Sequence, residues 1–294
     1  SNIYLNHHPN IRAEAMGRGL SASDNGDYAP LYNPALSSLT KGVKVNYSYS
    51  QQESEKPSLN YYEASYSNQK MGSIGLSAYY YSKSPLSGWF IEMQNHKSYY
   101  DALYTINYAR EVSKDFYAGI NFNVFHYSQI YDSWTTFDYL IFEDGFSFDA
   151  GVLKKFELSK EQGTQIAEVS AAFYNLTNSK YTHDSYGYTY KSPLPSILRI
   201  GGSYLFKAGT ETLNGKFYPV TSFTHIEFEK VVNSNLGIFV KVGQEITLHE
   251  VLSLRAGMFF INRKDLDVYS VNDFISSQFL WGGGVNFPFH KFFN

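Results

Sequence analysis

A two-residue alternation of apolar and polar side chains constrains the fold of this chain more than any other feature, and it recurs from Gly42 onward. Successive side chains of a β-strand point to opposite faces, so strict alternation predicts strands with one apolar and one polar face. The segments with the clearest alternation are 43–50, 73–80, 99–108, 116–125, 146–152, 167–173, 198–204, 236–242, 252–260 and 279–287. With weaker segments at 59–67 and 217–230, the sequence predicts an all-β chain of about twelve strands.

The length of these segments indicates where the strands lie. Several alternating segments run for 9 to 12 residues, whereas strands of soluble domains more often stop at about 5 or 6. A tilted strand that crosses a bilayer needs about 9–11 residues. Length and alternation together favour an antiparallel transmembrane β-barrel, with apolar side chains facing lipid and polar ones facing an interior.

The connections between the segments fall into two length classes. The short polar connections are 68–70, 111–115 and 247–250, and the long ones, rich in Tyr, Asp, Ser and Asn, are 83–97, 128–144, 178–195 and 262–275. Bacterial outer-membrane barrels have short periplasmic turns at one end and long outer loops at the other. Aromatic side chains near the strand ends are candidates for the two interfacial girdles, namely Tyr47, Tyr49, Tyr80, Tyr81, Tyr108, Tyr204 and Trp281.

Residues 1–40, called the N-terminal segment below, differ from the rest of the chain. They lack strand alternation and are interrupted by glycine and proline, which predicts irregular or short helical structure. We expect this segment to plug a barrel formed by 41–294. The chain begins at Ser1 without an apolar leader, so we expect a signal peptide to have been cleaved or the sequence to have been trimmed.

Composition and sequence pattern exclude several classes of protein and of binding site. The chain contains no cysteine, which excludes disulfides and thiolate metal sites. Its net charge of −3 provides no basic surface for nucleic acid, and no run of 18 apolar residues predicts a transmembrane helix. No 40–50-residue repeat supports a propeller. A soluble β-sandwich, such as an adhesin or lectin, remains the alternative, because alternation can also pack a core.

Motifs of enzyme chemistry are incomplete. His249-Glu250 begins a zinc-protease pattern, but Ser253 occupies the position of the second histidine. Gly17-x-Gly19 lacks both a third glycine and a preceding strand, and no G-x-S-x-G motif is found. We therefore predict a protein that is not an enzyme and that needs no cofactor and no metal.

Two groups of residues are candidates for function. Charged residues on the polar stripes predict either an ion-pair network that fills the interior or a ligand site. With the residues that would plug the barrel, this candidate plug and lumen set is Arg12, Met16, Gly17, Asn33, Pro34, Asp149, Glu168, Arg199, Lys241 and Arg255. The candidate contact residues on the outer loops are Trp89, Phe90, Tyr131, Trp134, Phe137, Tyr139, Tyr186 and Tyr188, since tyrosine offers large contact area at low entropic cost.

Three stretches of the chain, taken in order, resemble one family. They are Arg12–Gly19 with Leu31-Tyr32-Asn33-Pro34-Ala35, then Tyr174–Tyr181 with Leu194-Pro195 and Leu198-Arg199-Ile200-Gly201, and finally Leu252–Phe259 with Gly282-Gly283-Gly284-Val285. Together they resemble FadL-like outer-membrane proteins, and most of all the PorV and PorQ branch associated with type IX secretion. The resemblance implies a 14-stranded barrel in the outer membrane.

The resemblance also implies a function and partners. The chain would bind secretion-system or outer-membrane proteins and secreted cargo, within a membrane of lipid and lipopolysaccharide, and would catalyse no reaction. The better-known FadL branch implies the alternative, a transporter of hydrophobic small molecules. One departure is that the chain stops at Asn294, where the family continues into a closing strand, so we expect that strand to be missing.

Overall fold

The computed structural model describes residues 9–23, 26–51, 58–83, 97–131, 139–159, 163–185, 188–212, 215–261 and 277–285. The N-terminal segment forms helix α1 (Ile11–Ala15), helix α2 (Ala29–Tyr32) and a 3-10 helix, η1 (Pro34–Leu39). Among the described residues, no helix has the length and hydropathy needed to span a membrane.

The rest of the described chain is built from β-strands. They are β1 (Gly42–Gln51), β2 (Ser58–Asn68), β3 (Gly72–Lys83), β4 (Lys97–Ser113), β5 (Phe116–Tyr131), β6 (Tyr139–Ser159), β7 (Thr164–Tyr174), β8 (Lys180–Ser185), β9 (Tyr188–Pro193), β10 (Ile197–Thr212), β11 (Gly215–Val231), β12 (Phe239–Leu248), β13 (Leu252–Ile261) and β14 (Ser277–Val285). One antiparallel sheet contains twelve of them in chain order, with β7 paired directly to β10, and β8 and β9 form a separate hairpin.

The number of strands in the sheet agrees with the twelve predicted from alternation and not with the fourteen implied by the family resemblance. The described sheet has twelve strands, so the expectation of fourteen is wrong for it. The two further strands, β8 and β9, pair only with each other, within the segment 178–195 that was expected to be a loop. The segment 128–144 was also expected to be a loop, but its two ends extend β5 and β6. The weak segments 59–67 and 217–230 are strands β2 and β11.

The sheet is apolar outside and polar inside. On β4 the outward Ile106 is 53% exposed, while the adjacent inward Asn107 is fully buried. The same contrast holds on β1, where the outward Val43 is 76% exposed. The predicted alternation is therefore confirmed, and its apolar stripes do not pack against a second sheet of the described chain. Tyr81 is an exception among the expected girdle residues, because it faces inward and is buried.

Contacts with the N-terminal segment show that the sheet is curled. The Ser48 hydroxyl on β1 donates to the carbonyl of Pro9, and the Arg12 guanidinium, three residues further on, donates to Glu245 on β12 at 3.0 Å. In a flat sheet, β1 and β12 would lie about 43 Å apart, nine strand spacings of about 4.8 Å. Three residues of main chain span at most about 10 Å. The sheet must therefore wrap around the N-terminal segment, and the space inside its polar face is called the lumen below.

The two ends of the curled sheet differ. Connections 69–71, 114–115, 160–163, 213–214 and 249–251 all join strands at one end, called the short-turn end. Connections 52–57, 84–96, 132–138, 175–196, 232–238 and 262–276 join strands at the opposite, long-loop end. The alternation is complete, as in outer-membrane barrels. At 21 residues, β6 exceeds the roughly 9–11 residues that cross a bilayer, so part of it must project beyond any membrane.

Candidate functional site

The turn after α1 packs its backbone directly against the sheet. Met16 is fully buried, and Gly17 adopts a φ of 76°, which favours glycine. A side-chain carbon added to Gly257 on β13 would lie 2.2 Å from the backbone nitrogen of Gly17. One added to Gly17 would lie 2.6 Å from the carbonyl oxygen of Met258. Glycine on both surfaces therefore allows the N-terminal segment to sit against the inner face of β13.

A second anchor lies at the start of η1. The Asn33 side chain accepts a hydrogen bond from the backbone nitrogen of Ala35 at 3.0 Å and so caps η1. Its amide group donates to the carbonyl oxygens of Ser21 and of Val152 on β6, both at 3.0 Å. The Pro34 carbonyl accepts from an inward Asn of β4 at 3.2 Å. Asn33 thus connects two parts of the N-terminal segment to the wall.

Replacing this anchor has a predictable effect. We expect Asn33→Ala to lower the free energy of unfolding by about 3 kcal/mol, since three hydrogen bonds are lost and their buried partners stay unsatisfied. The measurement is urea unfolding of the purified protein. Asn68→Ala is the matched control, because the backbone nitrogens capped by Asn68 in an exposed turn can bond to water instead. Equal losses for the two variants would contradict the anchor role.

Four charged side chains form the lumen network, namely Arg199, Glu227, Glu229 and Lys241, each at most 4% exposed. Arg199 donates to Glu229 at 2.6 Å, and Lys241 donates to Glu229 at 2.7 Å and to Glu227 at 3.1 Å. Arg199 also donates to the carbonyl oxygen of Leu31 in the N-terminal segment at 2.6 Å. Two positive and two negative charges balance, so the burial of each one is compensated.

The remaining predicted lumen residues lie in separate polar groups. Arg255 and Arg12 both bond to Glu245, which joins β13 to α1. Glu168 forms an ion pair with Lys155 at 2.8 Å. The buried Asp149 accepts three hydrogen bonds, two from asparagine side chains of β5 and one from the backbone nitrogen of Asn175. The structure thus joins Arg199 and Lys241 through the same glutamates, whereas the hydrogen bonds and ion pairs named above for Asp149, Glu168 and Arg255 are to other partners.

The acidic partners of this network were missed in the sequence. Glu227 and Glu229 alternate with Ile226 and Phe228, so β11 carries the same two-residue pattern as the clearer strands. Glu245 likewise follows this pattern on β12. A search for charges at inward positions of the weak segment 217–230 would have found the two glutamates. It would not have paired them with Arg199, because that pairing depends on register.

An aromatic cluster fills the lumen toward the long-loop end. It consists of the buried residues Leu59, Tyr61, Tyr79, Tyr81, Leu103, Phe125 and Leu194, with Tyr28 and Leu31 of the N-terminal segment packed against it. Leu194 follows the β8–β9 hairpin and is 1% exposed. Its carbonyl accepts hydrogen bonds from Asn175 at 3.1 Å and from Asn233 at 2.7 Å. The base of the 175–196 connection is therefore fixed into the long-loop end of the lumen.

Burial also holds one phenol of the N-terminal segment in its neutral form. The Tyr32 side chain on α2 is 1% exposed. Loss of hydration raises the pKa of its phenol well above the usual value, and the nearby Glu14 adds to that effect. Tyr32 is consequently a neutral phenol at any physiological pH.

The predicted contact residues of the outer loops are only partly located. Trp89, Phe90, Trp134, Phe137 and Tyr186 lie outside the described residues. Tyr131 and Tyr139 are partners in the last pair of the β5–β6 hairpin, at the long-loop end. Tyr188 pairs with Ser185 at the tip of the β8–β9 hairpin. The three located residues therefore lie at the tips of two hairpins, both at the long-loop end.

Comparison with known proteins gives distant structural likeness and no family. No family model matches the chain, and no curated protein matches it. Among solved structures, it is similar to the β domain of the Bordetella autotransporter BrkA, with a TM-score of 0.35 and 12% sequence identity, over 83% of this chain and 93% of that chain. This likeness is too distant to assign the chain to a family.

Proposed function

We propose that this chain is a β-barrel of the bacterial outer membrane that acts, without catalysis, as a protein-binding component of a secretion system of the type IX kind. The main support for a membrane location is that the sheet is apolar on its outer face and polar on its inner face. Outward side chains such as Val43, Ile106 and Trp281 are more than half exposed along a sheet whose inner face is polar. In water this would be a large unfavourable apolar surface, whereas in a bilayer it faces hydrocarbon. Free strand edges are not tolerated in hydrocarbon, so the proposal requires the curled sheet to close into a barrel.

The filled interior supports binding rather than transport. The described residues of the N-terminal segment, 9–23 and 26–40, occupy the lumen, and the lumen network and the aromatic cluster lie around them. The transporter alternative requires an apolar pocket beside this segment. The two apolar grooves described below lie on the outer face of the sheet, on the opposite side from this segment. A barrel that is filled in this way interacts with other molecules mainly through its ends.

The long-loop end is the surface that a protein partner would contact. It carries every long connection, and short periplasmic turns occupy the other end of such barrels. The β8–β9 hairpin contacts β6 and stands on a base held by Asn175 and Leu194. These base residues belong to the stretch that resembles the PorV and PorQ branch, which supports a protein-binding role for the hairpin.

Removal of the hairpin tests the proposal. Ser179 and Leu194 are already joined by a backbone hydrogen bond of 3.0 Å, so Lys180–Pro193 can be replaced by Gly-Gly without moving the base. We expect the variant to keep heat-modifiable gel migration, because no strand of the twelve-stranded sheet is altered. We also expect it to lose the secretion components and cargo that the intact protein recovers from native outer membranes.

The control replaces Gln69 and Lys70 by Gly-Gly at the short-turn end. It should recover partners as the intact protein does. Unchanged recovery by the hairpin variant would place the contact elsewhere, and recovery of the barrel alone from native membranes would refute the binding function.

A further inference from the structure

Two apolar grooves of similar size lie on the outer face of the sheet. The first, here the Arg110 groove, has a volume of about 560 Å³ and crosses β4 to β10. Its floor is low because small residues, Ala118, Ala150 and Ala171, stand between larger neighbours such as Ile120. The second groove, about 520 Å³, has Ala64 and Ala78 in its lining and lies across β1 to β5. The two grooves therefore form a natural pair for comparison.

Charge distinguishes the two grooves. Arg110 lines the first one and is exposed on the outer face of β4, opposite Ala118 in register and three residues before the strand ends at Ser113. It makes no hydrogen bond or ion pair within the described part of the chain. No carboxylate lines the Arg110 groove, and no lysine or arginine lines the second one. Of these two grooves, the Arg110 groove alone is lined by a cation, which lies on its short-turn side.

In a membrane, the occupant of an apolar groove on the outer face must be a molecule that is available in the bilayer. An empty groove would lose dispersion contacts along its lining, and water finds no polar partners on an apolar floor. A second copy of the chain would present another convex wall, which would touch the rims and leave the floor empty. A flexible acyl chain is thin enough to reach the alanines. The guanidinium at the end of the groove would pair with a phosphate through two parallel hydrogen bonds.

We propose that the Arg110 groove binds a glycerophospholipid, with one acyl chain on the alanine floor and the phosphate on the Arg110 guanidinium. The site rests on the proposed membrane location, since it needs both hydrocarbon and a headgroup layer. The short-turn end faces the periplasm in barrels of this kind, so the lipid belongs to the periplasmic leaflet. The second groove holds acyl chains without selecting a headgroup.

Native mass spectrometry of the detergent-extracted, delipidated protein tests this site. The probes are phosphatidylglycerol and a diacylglycerol with the same acyl chains, which lacks the phosphate. We expect one phosphatidylglycerol to be retained in preference to the diacylglycerol. Arg110→Gln should weaken its retention by about tenfold or more, the usual effect of losing a charge-assisted hydrogen bond. Lys70→Gln, an exposed cation of the short-turn end, is the charge control and should change nothing.

A second pair of variants tests the floor. Ala150→Leu fills the Arg110 groove and should also reduce phosphatidylglycerol retention, while Ala78→Leu fills the other groove and should leave it unchanged. Equal retention of the two lipids, or equal retention by the intact protein and Arg110→Gln, would overturn the proposal. Neither result would contradict the proposed function. That function is refuted separately if the protein needs no detergent or if it recovers no partner proteins.

Discussion

Arg199→Met is expected to lower the free energy of unfolding by about 3–5 kcal/mol, one of the two largest effects that we predict for a single substitution. The guanidinium is 2% exposed and donates to Glu229 at 2.6 Å. Without it, Glu227 and Glu229 share the single ammonium of Lys241, and one buried carboxylate stays uncompensated. The variant also loses the hydrogen bond to Leu31, which loosens the N-terminal segment. Urea unfolding in detergent measures the loss.

The double variant Arg199→Met/Glu229→Gln separates charge from packing. It leaves Lys241 and Glu227 as a balanced pair at 3.1 Å, so we expect it to regain a large part of the lost stability. Lys70→Met, which removes an exposed charge in a turn, should stay within about 0.5 kcal/mol of the intact protein. If the double variant is less stable than Arg199→Met, charge balance is not what the lumen network provides.

Gly257→Val should displace the N-terminal segment and open the lumen to ions. The added side chain would meet the backbone of Met16 and Gly17 at 2.2–2.6 Å, and neither a helix end nor a strand can yield that much. We expect the α1 turn to leave the inner face, at a cost of about 1–3 kcal/mol. Conductance across a planar lipid bilayer is the measurement, and the expected result is a clear rise over the intact protein.

Gly283→Val is the matched control on the neighbouring strand. Gly283 faces outward, and an added carbon would come no nearer than 3.6 Å to any atom. This variant should conduct no more than the intact protein. Equal conductance of the two variants would show that the N-terminal segment does not close the lumen.

The strands and their two faces could be predicted from the sequence. Alternation along 43–50 and 252–260 identified β1 and β13, because side-chain direction in a strand follows from backbone geometry alone. The same reasoning placed Arg199 and Lys241 on the inner face, where the structure buries them. The helical turns of the N-terminal segment were expected as well, since glycine and proline act on the local backbone.

Tertiary structure alone decided which side chains meet. Arg199, Glu229 and Lys241 come from three adjacent strands, and a shift of register by one residue would turn each of them outward. The β8–β9 hairpin within 178–195 and the burial of Leu194 in the aromatic cluster depend in turn on how the strands around the lumen pack. Alternation is a property of each strand by itself, and so the sequence reveals it. Register, curl and the filling of the lumen arise between strands far apart in the chain, and only their packing sets them.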